Sequence, residues 1–103
     1  MRTKRLAPGD CAAMHDVRQS VDRLDQEIVA LLAERFSYMA AAARIKSDRN
    51  QVRDEMRKAE VIANARRLAL QHGAPRSAVA EVYDLLVEHS IAYELELFDR
   101  HRE

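Results

Sequence analysis

With 103 residues the chain fits one domain. Seventeen Lys and Arg balance 17 Asp and Glu, so it lacks the basic excess that a nucleic-acid binder presents to phosphates. Two Gly and two Pro leave few turns for a strand-rich fold, and 5% aromatics with no Trp imply a thin core.

Residues 1–10, MRTKRLAPGD, read as a flexible N-terminal arm, basic but without the apolar stretch of a secretory signal. The helical domain is expected over 11–103. Its first helix starts between Cys11 and Asp16, with Asp10 or Asp16 as N-cap, and runs to Lys46. Val17, Val21, Leu24, Ile28, Leu31, Arg35, Tyr38, Ala42 and Ile45 alternate steps of four and three, a heptad seam. The polar stretch Ser47–Gln51 reads as a loop. A second helix spans about 53–72, with Val61, Ile62, Ala65, Leu68 and Ala69 inward. Gly73 suits a C′ position and Pro75 the first turn of a third helix ending near Asp99. One stripe of that helix holds Val79, Val82, Leu86 and Tyr93. An adjoining stripe holds Tyr83, Val87, Ser90, Glu94 and Leu97. The fold class is all-α, a three-helix protomer with one long first helix.

A helix of about 35 residues is roughly 50 Å long, against a radius of gyration of about 13 Å for a domain of this size. Much of the seam then needs a second chain to cover it. The expectation is an intertwined homodimer in which the long helices pair. A plain coiled-coil dimer without chemistry accounts for the periodicity equally well.

No run of about 18 apolar residues is present, so no membrane span is expected. The single cysteine, Cys11, has no partner for an internal disulfide, which fits a cytoplasmic protein. His15, His72, His89 and His101 lack metal-ligand spacing, and there is no glycine-rich phosphate loop. No metal and no cofactor are expected. Any chemistry then rests on positioning and electrostatics.

Arg35 occupies a seam position among apolar neighbours. A buried guanidinium needs an anion. One account is a structural salt bridge, to Asp25 or Glu27 across a dimer or to the poorly placed Glu34. The other is a ligand. Lys46 lies 11 positions on and faces nearly the same way, about 16 Å along the axis. Arg57 can fold back onto the same region. Arg18, 17 positions before Arg35, is about 25 Å away on a straight helix and joins only from an antiparallel partner chain. Cations around an apolar interior suit a small dicarboxylate, which guanidinium forks grip in bidentate pairs.

The stretches Asp10-Cys11, Met14–Arg18, Val21–Asp25 and Ile28-Val29, followed by Arg35, Tyr38, Ala41, Ala42, Arg44 and Lys46, resemble the all-helical chorismate mutase family. The resemblance covers about residues 10–100. It is nearest the branch of isochorismate pyruvate lyases of salicylate and siderophore pathways, through Asp10-Cys11 and the short loop between Lys46 and Arg57. It implies an intertwined dimer with two shared sites, Arg18 reaching across from the other chain. It implies Arg35 and Arg57 on substrate carboxylates or the enolpyruvyl group, and Lys46 donating to the ether oxygen. Two positions depart from the family pattern. Glu94 stands where a glutamine contacts the ether oxygen. Lys58 follows Arg57 where many mutases carry a carboxylate that binds a substrate hydroxyl. Asp54, one turn earlier, keeps a polar role in the substrate-binding set, and Ser90 joins that set from the third helix.

The expected function is chorismate mutase, converting chorismate to prephenate by a pericyclic rearrangement, with Lys46, Glu94 and Arg35 as catalytic residues. The alternative is isochorismate pyruvate lyase, giving salicylate and pyruvate from the same site. A second alternative is a non-catalytic dimerisation or regulatory module. Carboxylates that satisfy Arg35 and Lys46 across helices without a ligand favour that module.

Overall fold

The computed structural model describes residues 6–102. Those residues are helical without a strand: α1 Met14–Ile45, α2 Glu55–His72 and α3 Arg76–His101, with short 3-10 turns at Pro8–Asp10 and Arg49–Gln51. None of these helices is long and apolar enough to cross a membrane. Of the proposed arm, residues 1–5 lie outside the described residues.

Local chemistry sets the helix ends. Asp10 belongs to the first 3-10 turn and does not cap α1. Asp16 lies inside the first turn of α1, past the N-cap position. Its Oδ2 reaches back to accept from the N–H groups of Ala12 at 3.0 Å and Ala13 at 3.2 Å, donors that the helix itself leaves unmatched. The expected loop Ser47–Gln51 contains a capped turn. Asp48 accepts from Asn50 N–H at 2.8 Å, and the Gln51 side chain accepts from Asp48 N–H at 3.1 Å. Gly73 closes α2 with φ of 73°, a left-handed conformation that costs glycine little. Ala74 N–H then bonds back to Ala69 O at 2.8 Å. Pro75 is the N-cap of α3, one residue earlier than expected.

The chain divides after Arg35 into two compact units. The first holds the Pro8–Asp10 turn and α1 as far as Arg35, and no residue described in it is buried. Val17, Val21, Leu24, Ile28 and Leu31 are each between 37% and 65% exposed.

The second unit starts at Phe36 and holds the end of α1, the Arg49–Gln51 turn, α2 and α3. Its core joins Ala43, Val52, Val87, Ile91 and Phe98, with Val61, Leu95 and Leu97 against them. Ala65 and Ala69 of α2 and Ala80 of α3 are buried, small side chains that permit close helix packing. Of the two stripes on α3, the one carrying Val87, Ser90 and Glu94 turns inward, while Val82 and Tyr93 stay exposed. Periodicity identified both faces, and packing against α1 and α2 selected one. Tyr93 sets its ring edge-on to Phe36, centroids 5.2 Å apart.

Candidate active site

Lys46 is the first residue past α1, and its N–H still donates to Ala42 O at 2.9 Å. Its side chain extends to α3, where Nζ donates to Glu94 Oε2 at 2.7 Å. Glu94 is 4% exposed. A carboxylate that deep in a helical core needs a cation or a proton, and Lys46 supplies the cation. Ser90, one turn earlier on the same face, is also buried, and its Oγ donates to Leu86 O at 2.7 Å. Lys46, Ser90 and Glu94 therefore belong to one region of the second unit. Lys46 thus has a carboxylate partner within the chain.

Asp54 and Arg57 sit at the start of α2 and are exposed. Asp54 is the N-cap, its Oδ1 accepting from Arg57 N–H at 3.0 Å. Beside the polar role that the resemblance implies for it, Asp54 thus has a structural one. An Asp just ahead of Glu55-Met56-Arg57 is the local signal for it. Arg18, exposed, and Arg35, half-buried, both belong to the first unit.

Lys58 has a different set of partners. Its Nζ meets Asp84 Oδ1 at 2.8 Å and Glu88 Oε2 at 2.7 Å. Arg53 adds a two-pronged contact to Glu88, at 2.7 and 3.1 Å, and one to Glu55 at 2.9 Å. Arg53, with Lys58 beside it, pulls the Glu88 carboxyl down to about 2. Asp84 and Glu88 in turn raise the Lys58 ammonium above its ordinary value. The cation that departs from the family pattern thus joins α2 to α3.

Two further contacts flank Lys46. Arg49 grips Asp99 with Nε–Oδ1 at 2.9 Å and Nη2–Oδ2 at 3.3 Å. Arg102 donates to the carbonyls of Ala43 and Lys46. Nothing local in the sequence announces either contact, because the partners are 50 or more positions apart. Among the described residues no group of His, Cys, Asp and Glu is arranged to hold a metal ion.

Comparison with known proteins places these residues in a lineage. The chain is 27% identical over 95 residues to the isochorismate pyruvate lyase of Pseudomonas aeruginosa, covering 92% of this chain and 94% of that protein. It is 27% identical over 78 residues to the chorismate mutase of Methanocaldococcus jannaschii, covering 75% of this chain and 79% of that one. A sequence model of the family described as chorismate mutase type II matches residues 17–95. That span takes in the heptad helix, Lys46, Arg57 and Glu94, and the chain belongs to the chorismate mutase type II family.

Proposed function

We propose that the protein is a chorismate mutase that rearranges chorismate to prephenate, acting as an intertwined homodimer with two shared sites. The observation that carries this reading is the match of residues 17–95 to the chorismate mutase type II family, a span that holds the Lys46–Glu94 contact, an ammonium 2.7 Å from a carboxylate that is nearly sealed from water. The exposed stripe Val17, Val21, Leu24, Ile28 and Leu31 is the surface that a second copy covers. Burying one such side chain is worth about 1.5–3 kcal/mol.

In this mechanism Arg35 and Arg57, with Arg18 from the other chain, grip the substrate's carboxylates and hold it in its compact conformer. The enolpyruvyl methylene carbon then lies over the ring carbon it joins. One C–C bond forms as the ether C–O bond breaks, and no atom is gained or lost. Negative charge grows on the ether oxygen. Lys46 stabilises it through N–H groups not engaged by Glu94, and Glu94 does so when protonated. Asp54 and Ser90 complete the polar lining.

The second reading is isochorismate pyruvate lyase. It is supported by the Pseudomonas aeruginosa relative, which matches nearly the full length of both chains. The same grip on isochorismate, with hydrogen transfer to the enolpyruvyl group, gives salicylate and pyruvate. A third reading, a non-catalytic module, draws on the same Lys46–Glu94 pair, since the lysine has a carboxylate partner within the chain. Supplying chorismate and isochorismate separately decides among them. Prephenate from chorismate supports the mutase, and salicylate with pyruvate from isochorismate supports the lyase. Consumption of neither substrate supports the module.

A further inference from the structure

The last carbonyls of an α-helix have no partner inside it. Where α1 ends, one side chain supplies donors to two of the carbonyls there. Arg102, just past the last turn of α3, donates Nη1–H to Ala43 O at 2.8 Å and Nη2–H to Lys46 O at 2.5 Å. The fork is rigid and planar, so the two bonds fix the acceptors relative to each other. A cation at this end also suits the helix dipole.

Arg102 is itself held. Its Cζ stands 3.8 Å from the centroid of the Phe98 ring. Phe98 lies in the same core cluster as Ala43. The backbone of Lys46 is thereby tied at both ends, its N–H to Ala42 O and its C=O to Arg102. A few residues on, Arg49 is tied to Asp99 of α3. Lysine carries a flexible four-carbon stem. Its Nζ keeps to one buried carboxylate oxygen only if the backbone beneath it is fixed.

We propose that Arg102 is a positioning residue for Lys46: it fixes the end of α1 so that Nζ meets Glu94 and, in catalysis, the reacting oxygen. The effect on turnover rests on the function proposed above. The effect on the Lys46–Glu94 contact does not.

Two measurements on the full chain test this. In the first, the ¹⁵N signal of the Lys46 side chain is identified by its loss in Lys46→Ala. In the parent protein, Glu94→Gln should shift that signal. In an Arg102→Ala background the same change should leave it nearly unmoved. An unaltered response to Glu94→Gln there overturns the proposal. The second uses whichever substrate is consumed. Arg102→Ala should lower kcat by about tenfold or more with little change in KM. Arg102→Lys keeps a charge and N–H donors on a single nitrogen but loses the fork, so it should recover part of the rate and stand in if the Ala variant does not fold. In a Lys46→Ala background, Arg102→Ala should cost less than about twofold, since its effect passes through the lysine. Multiplicative losses mean that Arg102 acts only on general stability and overturn the proposal. If Lys46→Ala turns over normally, the function proposed for Lys46 fails, and the ¹⁵N signal still decides the part played by Arg102.

Discussion

Lys46 and Glu94, 48 positions apart in the sequence, meet at 2.7 Å between Nζ and Oε2, with the carboxylate side chain 5% exposed and the lysine 29%. The pair closes a contact between the end of α1 and the middle of α3. It also presents a candidate proton donor and a cation at one point.

This contact predicts a gain from neutralising Glu94. An ionised carboxylate donates no hydrogen bond and opposes negative charge growing on the ether oxygen. Glu94→Gln supplies a neutral donor and leaves the Lys46 charge uncompensated, so kcat/KM near pH 7 should be higher. A slower Gln variant at neutral pH would remove Glu94 from the ether oxygen.

The shared site is tested by mixing subunits. Arg35→Ala and Arg18→Ala should each abolish turnover while circular dichroism shows an intact helical fold. If Arg18 acts across the interface, heterodimers of the two variants should regain one intact site and a corresponding part of the activity. No recovery on mixing places Arg18 and Arg35 in the same chain's site. A near-normal kcat/KM for Arg35→Ala removes it from the mechanism.

The exposed stripe of α1 predicts a dimer that does not persist as a folded monomer. Sedimentation equilibrium at micromolar concentration should give twice the chain mass. A folded monomer in that range would falsify the paired-helix arrangement.

The joint between α2 and α3 predicts a pH dependence of stability. The carboxyl of Glu88 is lowered to about 2 by Arg53 and Lys58, from about 4.3 in an unfolded chain. A depressed carboxyl stabilises the fold above its unfolded value, and that contribution is lost as pH falls through the folded one. Glu88→Gln should therefore lower Tm at pH 5 to 7. Its melting curve should converge with the parent's as pH falls from about 4 toward 2. A constant difference across that range would mean that the Arg53–Glu88–Lys58 contacts do not set stability. Raising salt should narrow the gap at neutral pH, because Arg53 is exposed and Glu88 is partly open to solvent.

What could be read along the chain was what depends on neighbours in sequence. Three helices, the break after Lys46 and the left-handed Gly73 follow from spacing and turn chemistry within a few residues. So does the heptad seam of α1, whose exposure in a single chain is what its regular apolar pattern implies. Arg35 stood out because a cation interrupts the apolar seam, Lys46 because it falls on nearly the same face, Arg18 and Arg57 as cations able to join them, and Glu94 because it departs from a family pattern. Contacts between helices were not readable in this way. Two stripes of α3 were marked by spacing, the second interrupted by Ser90 and Glu94, and only packing in the second unit turned Val87, Ser90 and Glu94 inward while leaving Val82 exposed. Lys58 read as a substituted substrate contact and pairs with Asp84 and Glu88. Arg102 carried no signal, because its acceptors lie on another helix. A side chain's partner is set by which helix faces meet. Local spacing limits the candidate faces, and the energetics of burying them together selects among them.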